Sequence, residues 1–505
     1  MQALLKPIDA ILDRITMYRL VLYVLTILIV VAIIEALFGV LSYSPWAILL
    51  STALAVATCY VVNAIGARLV NAATSVESVY VTAFILALIL PPATIGSQSD
   101  ALLIVAASAI AMASKYLLAP FKKHVFNPAA IGVYLTGLLL GGYASWWVAG
   151  NLALLPVVLL GGLAIAHKIR RFDLVLTFCV VATGTIILTT SLPFTDALSL
   201  AVVHTSLLFF AFVMLTEPLT TPPQRSMRLI YAVIVGVLFA PALHIGGIYS
   251  SPELALLIGN IFVFVVSPKG RHVLTLVRQE ATSATTKDFV FSSDRPFTFQ
   301  AGQFLEWTLP HEHPDARGTR RFFTIASSPT ESEIRLGVKF YEKPSSFKRA
   351  LAKLEKGGRI FATALGGEFV LPKDLNEKLV FIAGGIGITP FRSHLRSILD
   401  RREKRDITIF YSNRTPVDIA YQSILDEAKE QIGIKVVHVI AEGALEGMRS
   451  GFVSAEVIQE EVSDFKDHTF YISGPQGMVK ALKGALLKAG VARRHIHTDY
   501  FIGLA

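Results

Sequence analysis

Apolar residues form long segments in the first half of the chain and short alternating runs in the second half. Residues 1–271 contain ten apolar segments separated by short polar stretches. Several approach the roughly 20 residues that a helix needs to cross about 30 Å of hydrocarbon. We therefore predict a polytopic helical membrane domain of about ten helices. The segments are 17–40, 45–66, 79–90, 100–118, 128–141, 147–167, 172–192, 198–216, 228–246 and 253–266.

The second half predicts two further domains. Short strands of alternating polarity fill residues 272–375, a pattern typical of a small β-barrel. After Lys378, strand–turn–helix repeats predict an open, doubly wound parallel sheet. The predicted domains are thus 1–271, 272–375 and 376–505, and the membrane domain ends at Ser267-Pro268-Lys269-Gly270-Arg271.

The placement of basic residues predicts the orientation of the helices. Residues 1–271 hold 14 Lys and Arg against 9 Asp and Glu, and the remainder holds 32 against 28. With the N-terminus inside, all 14 basic residues fall at inner helix ends or inner loops, which is the positive-inside pattern. We therefore expect both termini in the cytoplasm and the chain in a bacterial-type inner membrane. Helix-end anchoring and an ordinary soluble surface account for the net charge of +9 without a nucleic-acid partner.

Metal chemistry has little support in the sequence. Cys59 and Cys179 are the two cysteines, both lie in apolar runs, and the sequence has no Cys-x-x-Cys motif. A cysteine-ligated iron–sulfur cluster within this chain is therefore not expected. The segment His311-Glu312-His313-Pro314-Asp315 resembles a metal motif, but an exposed loop is the favoured interpretation.

Two of the ten segments are interrupted at matching positions. The third stops at Pro91-Pro92 and the eighth stops at Glu217-Pro218. These are the places expected in two five-helix repeats of inverted topology, where paired broken helices indicate a binding site at the repeat interface. Asn127-Pro128 predicts a capped helix start, either a plain one or one that holds a flavin or phosphate. The predicted site residues are Asn127, Pro128, Thr216, Glu217 and Thr220, with a solvated interface carboxylate as the alternative for Glu217.

The motifs around Asn127 and Glu217 resemble those of a known family. Phe126-Asn127-Pro128-Ala129-Ala130 and Thr216-Glu217-Pro218-Leu219-Thr220-Thr221-Pro222 are similar to segments of the B subunit of sodium-translocating NADH:quinone oxidoreductases and the D subunit of Rnf complexes. The resemblance implies an FMN linked by a phosphoester to a Thr of an Asp-x-x-(Ser/Thr)-Gly-Ala-Thr motif. The matching segment here is 196–202, and Val202 stands at the Thr position. Because Val has no hydroxyl, a second flavin (FMN or riboflavin) is expected to bind non-covalently.

Four motifs in the second half predict nucleotide chemistry. Gln303 precedes the strand that holds Arg321, which suits a pyrophosphate; Phe323 offers a ring face and Thr324 a hydroxyl for the polar edge of a flavin. Ser345 and Ser346 supply hydroxyls and backbone N–H groups for a flavin phosphate. The glycine turn 384–390 follows a strand and opens a helix, and the segment 473–478 ends a later strand. The predicted residues of these two motifs are Gly384, Gly385, Gly387, Thr389, Pro390, Ser473, Gly474, Pro475 and Met478.

Together these motifs resemble the ferredoxin–NADP⁺ reductase superfamily over residues 275–505. The resemblance implies FAD binding by Arg321, Phe323 and Thr324, and NAD(P)H binding by the glycine turn. Ser473 replaces the Cys that this family usually has beside the nicotinamide, and Thr324 and Ser473 are the predicted catalytic residues. Arg414 follows the second strand, where it would either bind the 2′-phosphate of NADPH or be a solvated loop residue, so NADH and NADPH both stay open.

These observations favour a membrane flavin oxidoreductase. Cytoplasmic NAD(P)H would reduce FAD, and electrons would pass through a membrane flavin to a quinone or an outer-side acceptor. The alternative is a redox-coupled or redox-regulated ion or solute transporter, because paired broken helices are a transporter architecture and the fold resembles urea channels. A reductase merely anchored to the bilayer ranks third, since ten segments exceed what an anchor needs. A homo-oligomer is a further expectation.

Overall fold

The structure is a computed structural model, and it describes residues 12, 15–70, 76–120, 124–267, 271–296, 298–315 and 318–501, except for the side chains of 500 and 501. The chain forms two compact units, Met1–Gly270 and Arg271–Ala505. The first unit is helical, and the second contains two six-stranded sheets. The junction residues 268–270 lie outside the described residues.

The helices of the first unit follow the apolar segments of the sequence. They are α1 Met17–Leu37, α2 Pro45–Val70, α3 Val76–Ile89, α4 Gln98–Leu117, α5 Pro128–Leu140, α6 Leu155–Ile169, α7 Phe172–Thr189, α8 Phe194–His204, α9 Leu207–Met214, α10 Arg225–Leu238 and α11 Pro252–Val266. Helices α8 and α9 form one apolar segment bent by 54°. Helices α1, α2, α4 and α7 have the length and apolar composition to cross a membrane, and the bent pair would be a fifth such segment.

Three of the predicted segments differ most from the structure. The eighth, predicted over 198–216, begins at Phe194 and is divided between α8 and α9. The sixth was expected to begin at 147, but residues 147–154 form a loop that precedes α6. The ninth was expected to run to 246, but α10 ends at Leu238 and the strands β1 His244–Ile245 and β2 Ile248–Tyr249 follow as a hairpin. Both overextensions arise because apolar residues also occur outside helices: Trp147 is buried in the loop before α6, and Ile245 lies exposed in the hairpin.

The helices of the first unit pack in a repeated order. In the first five segments, α1 packs on α3, α2 on α4, and α4 on α5. In the last five, α6 packs on α9, α7 on α10, and α10 on α11. The first helices of the two sets pack on each other (α1 with α6), and so do the last helices (α5 with α11). These three neighbour pairs therefore recur in both sets of five.

Glycines allow the last two helices of each set to approach closely. A Cβ at Gly132 of α5 would lie 2.6 Å from the carbonyl oxygen of Ala107 in α4. A Cβ at Gly259 of α11 would overlap side chains of α10, namely Val235 and Tyr231. Small residues at such crossings let helix backbones pack without side chains between them.

The second unit begins with an antiparallel sheet that forms a half-barrel. Its strands are β3 His272–Ala281, β4 Thr286–Ser293, β5 Phe304–Thr308, β6 Arg320–Thr324, β7 Ile334–Lys339 and β8 Arg359–Gly366, in the spatial order β6-β5-β8-β3-β4-β7. Inward side chains such as Phe291, Trp307 and Leu336 are fully buried and form its core. The helix α12 Ser346–Ala352 packs against this core through Phe347.

The remainder of the unit is a parallel sheet with helices. Its strands are β9 Leu379–Gly384, β10 Ile407–Asn413, β11 Lys435–Ile440, β12 Arg449–Ser450, β13 Thr469–Pro475 and β14 Ile496–Phe501, in the order β12-β11-β10-β9-β13-β14. Its helices are α13 Thr389–Arg401, α14 Gln422–Ile432, α15 Ala455–Glu461 and α16 Gln476–Lys488. The central strand β9 is buried along its whole length, as expected for a parallel strand covered on both faces. Its carboxyl end, at Gly384, is therefore the natural ligand edge.

Candidate functional sites

The break after α9 gathers predicted residues of the helical unit into one polar cluster. Glu217 precedes a 3₁₀ turn over Pro218–Thr220. Its carboxylate accepts hydrogen bonds from Nδ2 of Asn127 (2.9 Å) and from the hydroxyl of Thr220 (3.2 Å), and it lies 3.2 Å from Nε2 of His124. Asn127 lies 90 positions from Glu217, so the fold brings three of the predicted site residues together.

Asn127 has two structural tasks in this cluster. Its side-chain oxygen accepts from the backbone N–H of Ala130 and caps α5, with Pro128 in the first turn, as predicted. Its own backbone N–H donates to Oδ1 of Asn260 in α11 at 2.7 Å. Asn260 is fully buried and was not identified from the sequence, because one Asn in an apolar run gives no signal of its partner.

Thr216 does not join the cluster. Its hydroxyl donates to the carbonyl oxygen of Phe212 at 2.6 Å, within its own helix. A second polar group that the sequence did not predict is Lys115 of α4, which donates to Ser78 and Thr82 of α3 at 3.0 and 2.9 Å. Buried polar groups in apolar helices need such partners.

A related arrangement joins the broken end of α3 to the start of α11. The backbone N–H groups of Ser145 and Trp146 both donate to the carbonyl oxygen of Ile89 at 2.9 Å. The indole N–H of Trp146 donates to the buried carboxylate of Glu253 at 2.8 Å. The loop before α6 therefore satisfies the carbonyl groups that the proline break leaves open. The sequence analysis missed Trp146 and Glu253, because their contact spans 107 positions.

Val202, which matches the flavin-bearing Thr of the resembling family, lies in the π-helical end of α8. A cavity beside it has a volume of about 10 Å³ and is lined by Gly150, Thr205 and Phe209 among others. That is room for one water molecule, much less than the volume of a flavin ring.

In the second unit, β6 places the predicted flavin residues by strand alternation. Arg321 and Phe323 lie on one face of the strand and Thr324 on the other. The Phe323 and Phe347 rings lie 5.8 Å apart, and the Arg321 guanidinium lies 5.4 Å from the Phe347 ring. This geometry gathers a cation, an aromatic face and the start of α12, which is what a flavin with its pyrophosphate would contact.

Asp315 links the phosphate-binding candidates. Its carboxylate lies 3.1 Å from Nη2 of Arg321 and accepts from the backbone N–H of Ser346 at 3.1 Å. The Ser346 hydroxyl accepts from the Asp315 backbone N–H and lies 3.0 Å from Nε2 of His311. Ser345 caps α12 by accepting from Lys348 N–H. The His311–Asp315 segment thus contacts both Arg321 and Ser346. Among the described residues, no cluster of His, Cys, Asp and Glu forms a metal site.

Gly302 lies where the half-barrel contacts the parallel-sheet part of the unit, at a position with no room for a side chain. It has a positive φ of 86°, and a Cβ there would overlap the carbonyl oxygen of Phe369 and Nε2 of His394. Nε2 of His394 also lies 3.0 Å from that oxygen, and burial lowers the pKa of His394 to about 4. Gln303 is buried, and its side-chain oxygen accepts from Gln300 N–H. Gln303 therefore positions this turn in the structure.

Thr324 lies beside an acid from the last strand. Its hydroxyl donates to Oδ2 of Asp499 in β14 at 3.5 Å. The sequence analysis did not single out Asp499, because it lies 175 positions away with no motif around it. A hydroxyl and a carboxylate thus lie together at the polar edge expected for the flavin ring.

The glycine turn and the later Ser-Gly-Pro motif meet at the carboxyl edge of the parallel sheet. Strands β9 and β13 are neighbours, with Ser473 opposite Ala383. A Cβ at Gly387 would overlap the backbone of Ser473, and one at Gly384 would lie 2.7 Å from Met478. The two motifs therefore pack directly on each other, and the backbone of Ser473 leaves no room for a side chain at Gly387.

The remaining predicted nucleotide-binding residues lie at the same edge of the sheet. Thr389 and Pro390 begin α13, and the Thr389 hydroxyl donates to the carbonyl oxygen of Ile386 at 3.1 Å. Gly385 has no neighbour within 4 Å of a Cβ position, which leaves space for a ligand. The Ser473 hydroxyl is fully buried and makes no hydrogen bond within the described part of the chain. Arg414 forms an exposed ion pair of 3.0 Å with Glu442.

Comparisons with known proteins fit this geometry. Residues 381–484 match the family of oxidoreductase NAD-binding domains. The chain is 26% identical over 238 residues to the phenol hydroxylase P5 protein of Acinetobacter pittii, covering 46% of this chain and 65% of the relative. It is 26% identical over 241 residues to a glycine betaine monooxygenase reductase subunit of Chromohalobacter salexigens, covering 46% and 64%. A crystal structure of the Amycolatopsis cytochrome P450 reductase GcoB superposes with a TM-score of 0.42 at 24% identity, covering 46% of this chain and 69% of that one.

Residues 381–484 therefore match an oxidoreductase NAD-binding domain, which supports the NAD(P)H-binding domain predicted after Lys378. The family match is to an oxidoreductase NAD-binding domain, and several matched relatives are reductase subunits by name, which supports FAD and NAD(P)H as cofactors of the second unit and an oxidoreductase reaction. The chain spans 64–65% of the length of these two curated relatives.

Proposed function

We propose that this protein is a membrane-bound flavin oxidoreductase that takes reducing equivalents from cytoplasmic NAD(P)H and delivers them through its helical unit to a quinone or an acceptor outside the cytoplasm. One observation carries the proposal. A unit that carries the flavin motif in a half-barrel and brings the two nicotinamide motifs together at one edge of a parallel sheet follows ten apolar segments in the same chain. Such a fusion keeps the donor site and the helical unit in one molecule, which would replace an encounter between separate proteins by an intramolecular step.

The residues of the second unit fit FAD and a nicotinamide nucleotide. Bound FAD would supply the redox chemistry, because it accepts a hydride and releases electrons singly. Arg321 and the Ser346 backbone N–H would bind its pyrophosphate, and Phe323 would pack against its ring. Thr324, hydrogen-bonded to Asp499, would present its hydroxyl to the polar edge of the ring.

The nicotinamide nucleotide would lie across the turn at Gly384–Thr389. The start of α13 offers backbone N–H groups to its pyrophosphate, and Gly387 lets the chain approach closely. Ser473 lies at the end of β13, where a nicotinamide ring would be positioned for hydride transfer. Its buried hydroxyl, which has no partner among the described residues, is available to the carboxamide.

The helical unit supports a membrane role through its composition and its repeated packing. Three neighbour pairs recur in its two sets of five segments, which supports the proposed inverted 5+5 repeat. Both broken ends, at Ile89 and Glu217, have their polar groups satisfied by protein atoms, which non-helical backbone at membrane depth requires. The cluster of Asn127, Glu217 and Thr220 is the proposed place for a second, non-covalent flavin (FMN or riboflavin).

Arg321→Ala tests the reductase assignment. The full chain, purified in detergent, is expected to release FAD together with FMN or riboflavin on acid treatment and to oxidise NADH or NADPH with ferricyanide. Arg321→Ala should lower FAD content and NAD(P)H oxidation at least about tenfold, since a charged pyrophosphate contact is lost. Arg278→Ala, which removes another arginine from the same half-barrel, should change neither. Unchanged activity in Arg321→Ala would overturn the FAD assignment.

Vesicle experiments test the location and the direction. Protease added to inverted membrane vesicles should cleave the second unit, whereas protease added to right-side-out vesicles should spare it. NADH added outside inverted vesicles should reduce a lipid quinone or an acceptor trapped in the lumen. NADH oxidation without reduction of either acceptor would contradict the proposed electron route.

A transporter is the second candidate, and the paired breaks of the helical unit favour it. Glu217 and Lys115 also give this unit partly buried charged groups. Sodium or solute uptake into proteoliposomes, measured with and without NADH, separates the two candidates. Flux that needs no electron acceptor would favour transport.

A further inference from the structure

Two oppositely charged residues stand beside each other at the carboxyl edge of the parallel sheet. Arg414 follows β10, and Glu442 follows β11 by two residues. The strands are parallel neighbours with Asn413 opposite Ile440. A backbone hydrogen bond of 2.8 Å from Glu442 N–H to the Arg414 carbonyl oxygen ties the two positions together.

The location corresponds to the adenosine end of a nucleotide bound at the glycine turn. Strand β10 lies directly beside β9, with Ser412 opposite Gly384. Neighbouring strands are about 4.8 Å apart, so Arg414 and Glu442 lie one and two strands from the proposed pyrophosphate position. The ribose that carries the 2′-hydroxyl of NADH or the 2′-phosphate of NADPH extends in this direction.

The charge at this place disfavours a 2′-phosphate. Nε of Arg414 lies 3.0 Å from the Glu442 carboxylate, and both side chains are exposed, at 74% and 60%. An exposed ion pair adds little to the stability of the fold. Its effect is on the electrostatic potential that a bound nucleotide would meet. The loop 441–448 contains Glu442 and Glu446 and no Lys or Arg, and the negative charge of nearby Asp418 is already paired with Lys339. The positive charge of Arg414 is therefore already neutralised by Glu442 before a nucleotide binds.

We propose that Glu442 makes the reductase select NADH over NADPH. Its carboxylate accepts a hydrogen bond from the 2′-hydroxyl of the adenosine ribose, which is the role of an acidic residue in NAD-binding folds. The same carboxylate holds Arg414 and repels a 2′-phosphate. The proposal rests on the proposed function, because it presumes that the nucleotide binds at this sheet edge.

The matched pair Glu442→Gln and Glu446→Gln tests it in the FAD-loaded full chain. We expect the wild type to use NADH at least about tenfold better than NADPH, measured as kcat/KM with ferricyanide. Glu442→Gln should raise kcat/KM for NADPH about tenfold through KM, and should lower that for NADH two- to threefold. Glu446→Gln removes the same charge from the same loop and should change the ratio less than twofold.

Arg414→Ala in the Glu442→Gln background should remove the gained NADPH activity, because the released guanidinium is then absent. A wild type that prefers NADPH would overturn the proposal, and so would equal changes in Glu442→Gln and Glu446→Gln, which would indicate a long-range charge effect only.

Binding of nucleotide fragments separates this inference from the proposed function. The probes are 5′-AMP and 2′,5′-ADP, titrated calorimetrically into the same protein. Wild type should bind 5′-AMP more tightly, and Glu442→Gln should reverse or abolish that preference. If neither NADH nor NADPH is oxidised, the proposed function fails, while the fragment preference still supports or contradicts the role of Glu442.

Discussion

The carboxylate of Asp315 lies 3.1 Å from the guanidinium of Arg321 and also accepts a hydrogen bond from the backbone N–H of Ser346. Arg321 and Ser346 are the groups proposed to bind the FAD pyrophosphate. A carboxylate that pairs with both competes with a phosphate for the same donors. Asp315 must therefore leave this position when the pyrophosphate binds.

Asp315→Asn is accordingly expected to tighten FAD binding. The substitution removes the competing charge from the cradle while keeping the size of the side chain. FAD titrated into the deflavinated full chain, followed by quenching of flavin fluorescence, should show a dissociation constant about tenfold lower, which corresponds to about 1.4 kcal/mol. Glu312→Gln, a neutralisation three positions away in the same loop, should shift it less than twofold. Weaker binding in Asp315→Asn would mean that Asp315 orients α12 rather than competes with the ligand.

Gly302→Ala should destabilise the second unit strongly. Gly302 has a φ of 86°, and an added Cβ would overlap the carbonyl oxygen of Phe369 and the ring of His394. Gly357 is the matched control, because its φ is 84° and no atom lies within 4 Å of its Cβ position. Gly357→Ala should therefore show only the left-handed backbone cost of about 1–2 kcal/mol, and Gly302→Ala clearly more. Thermal stability is measured from FAD release on heating. Equal losses in Gly302→Ala and Gly357→Ala would show that the surrounding atoms move to accommodate the added Cβ at little cost.

The second unit should lose stability between pH 6.5 and pH 4. Burial lowers the pKa of His394 from 6.5 to about 4, so the folded state holds a neutral imidazole. Above pH 6.5 the ring is neutral in both states and its contribution is complete. Between pH 6.5 and 4 the unfolded state takes up a proton that the folded state excludes, which lowers stability by up to about 1.4 kcal/mol per pH unit.

His394→Gln should flatten this pH dependence, since Gln does not titrate and keeps a donor for the Phe369 carbonyl oxygen. Asp418 also titrates in acid, but it affects stability at a lower pH than His394. Burial raises the pKa of Asp418, but hydrogen bonds from Lys339 and Thr285 outweigh it and lower the pKa to about 2. Its stabilising contribution is complete above about pH 3.8 and is lost only below that value. An unchanged slope between pH 6.5 and 4 in His394→Gln would assign the transition to another group.

The sequence predicts features that depend on local composition and on contacts between residues close together in the chain. The bounds of α1, α7 and α11 follow directly from continuous apolar runs. The glycine turn at 384–387 is predictable because the strand, the turn and the helix are contiguous. The capping role of Asn127 is also visible, since Asn followed by Pro suits a helix start.

Contacts between distant segments are not predictable in this way. Trp146 and Glu253, or Thr324 and Asp499, meet only because packed elements bring their loops and strand ends together. The loop 147–154 was expected to be helical because its apolar residues satisfy the same pattern, whereas the structure uses Trp147 to donate to the carbonyl oxygen of Ala87. Likewise, nothing in the sequence indicates that Asp315 faces Arg321.

Asn260 provides the final test, because it supports the polar cluster of the helical unit. Its Oδ1 accepts from the backbone N–H of Asn127 at 2.7 Å in a fully buried position. Asn260→Leu would leave that N–H without its partner, at a cost of about 1–3 kcal/mol. The loss should also disturb the contact between Asn127 and Glu217, so the variant should retain less of any flavin bound at this cluster.

Ser108→Ala is the matched control in the same unit. The Ser108 hydroxyl is fully buried and makes no hydrogen bond within the described residues, so its removal should leave stability unchanged or slightly raised. Thermal aggregation in detergent, together with the ratio of acid-released FMN or riboflavin to FAD, measures both effects. Lower thermal stability of Asn260→Leu with an unchanged flavin ratio would assign Asn260 to folding alone and would remove the cluster of Asn127, Glu217 and Thr220 as the second flavin site.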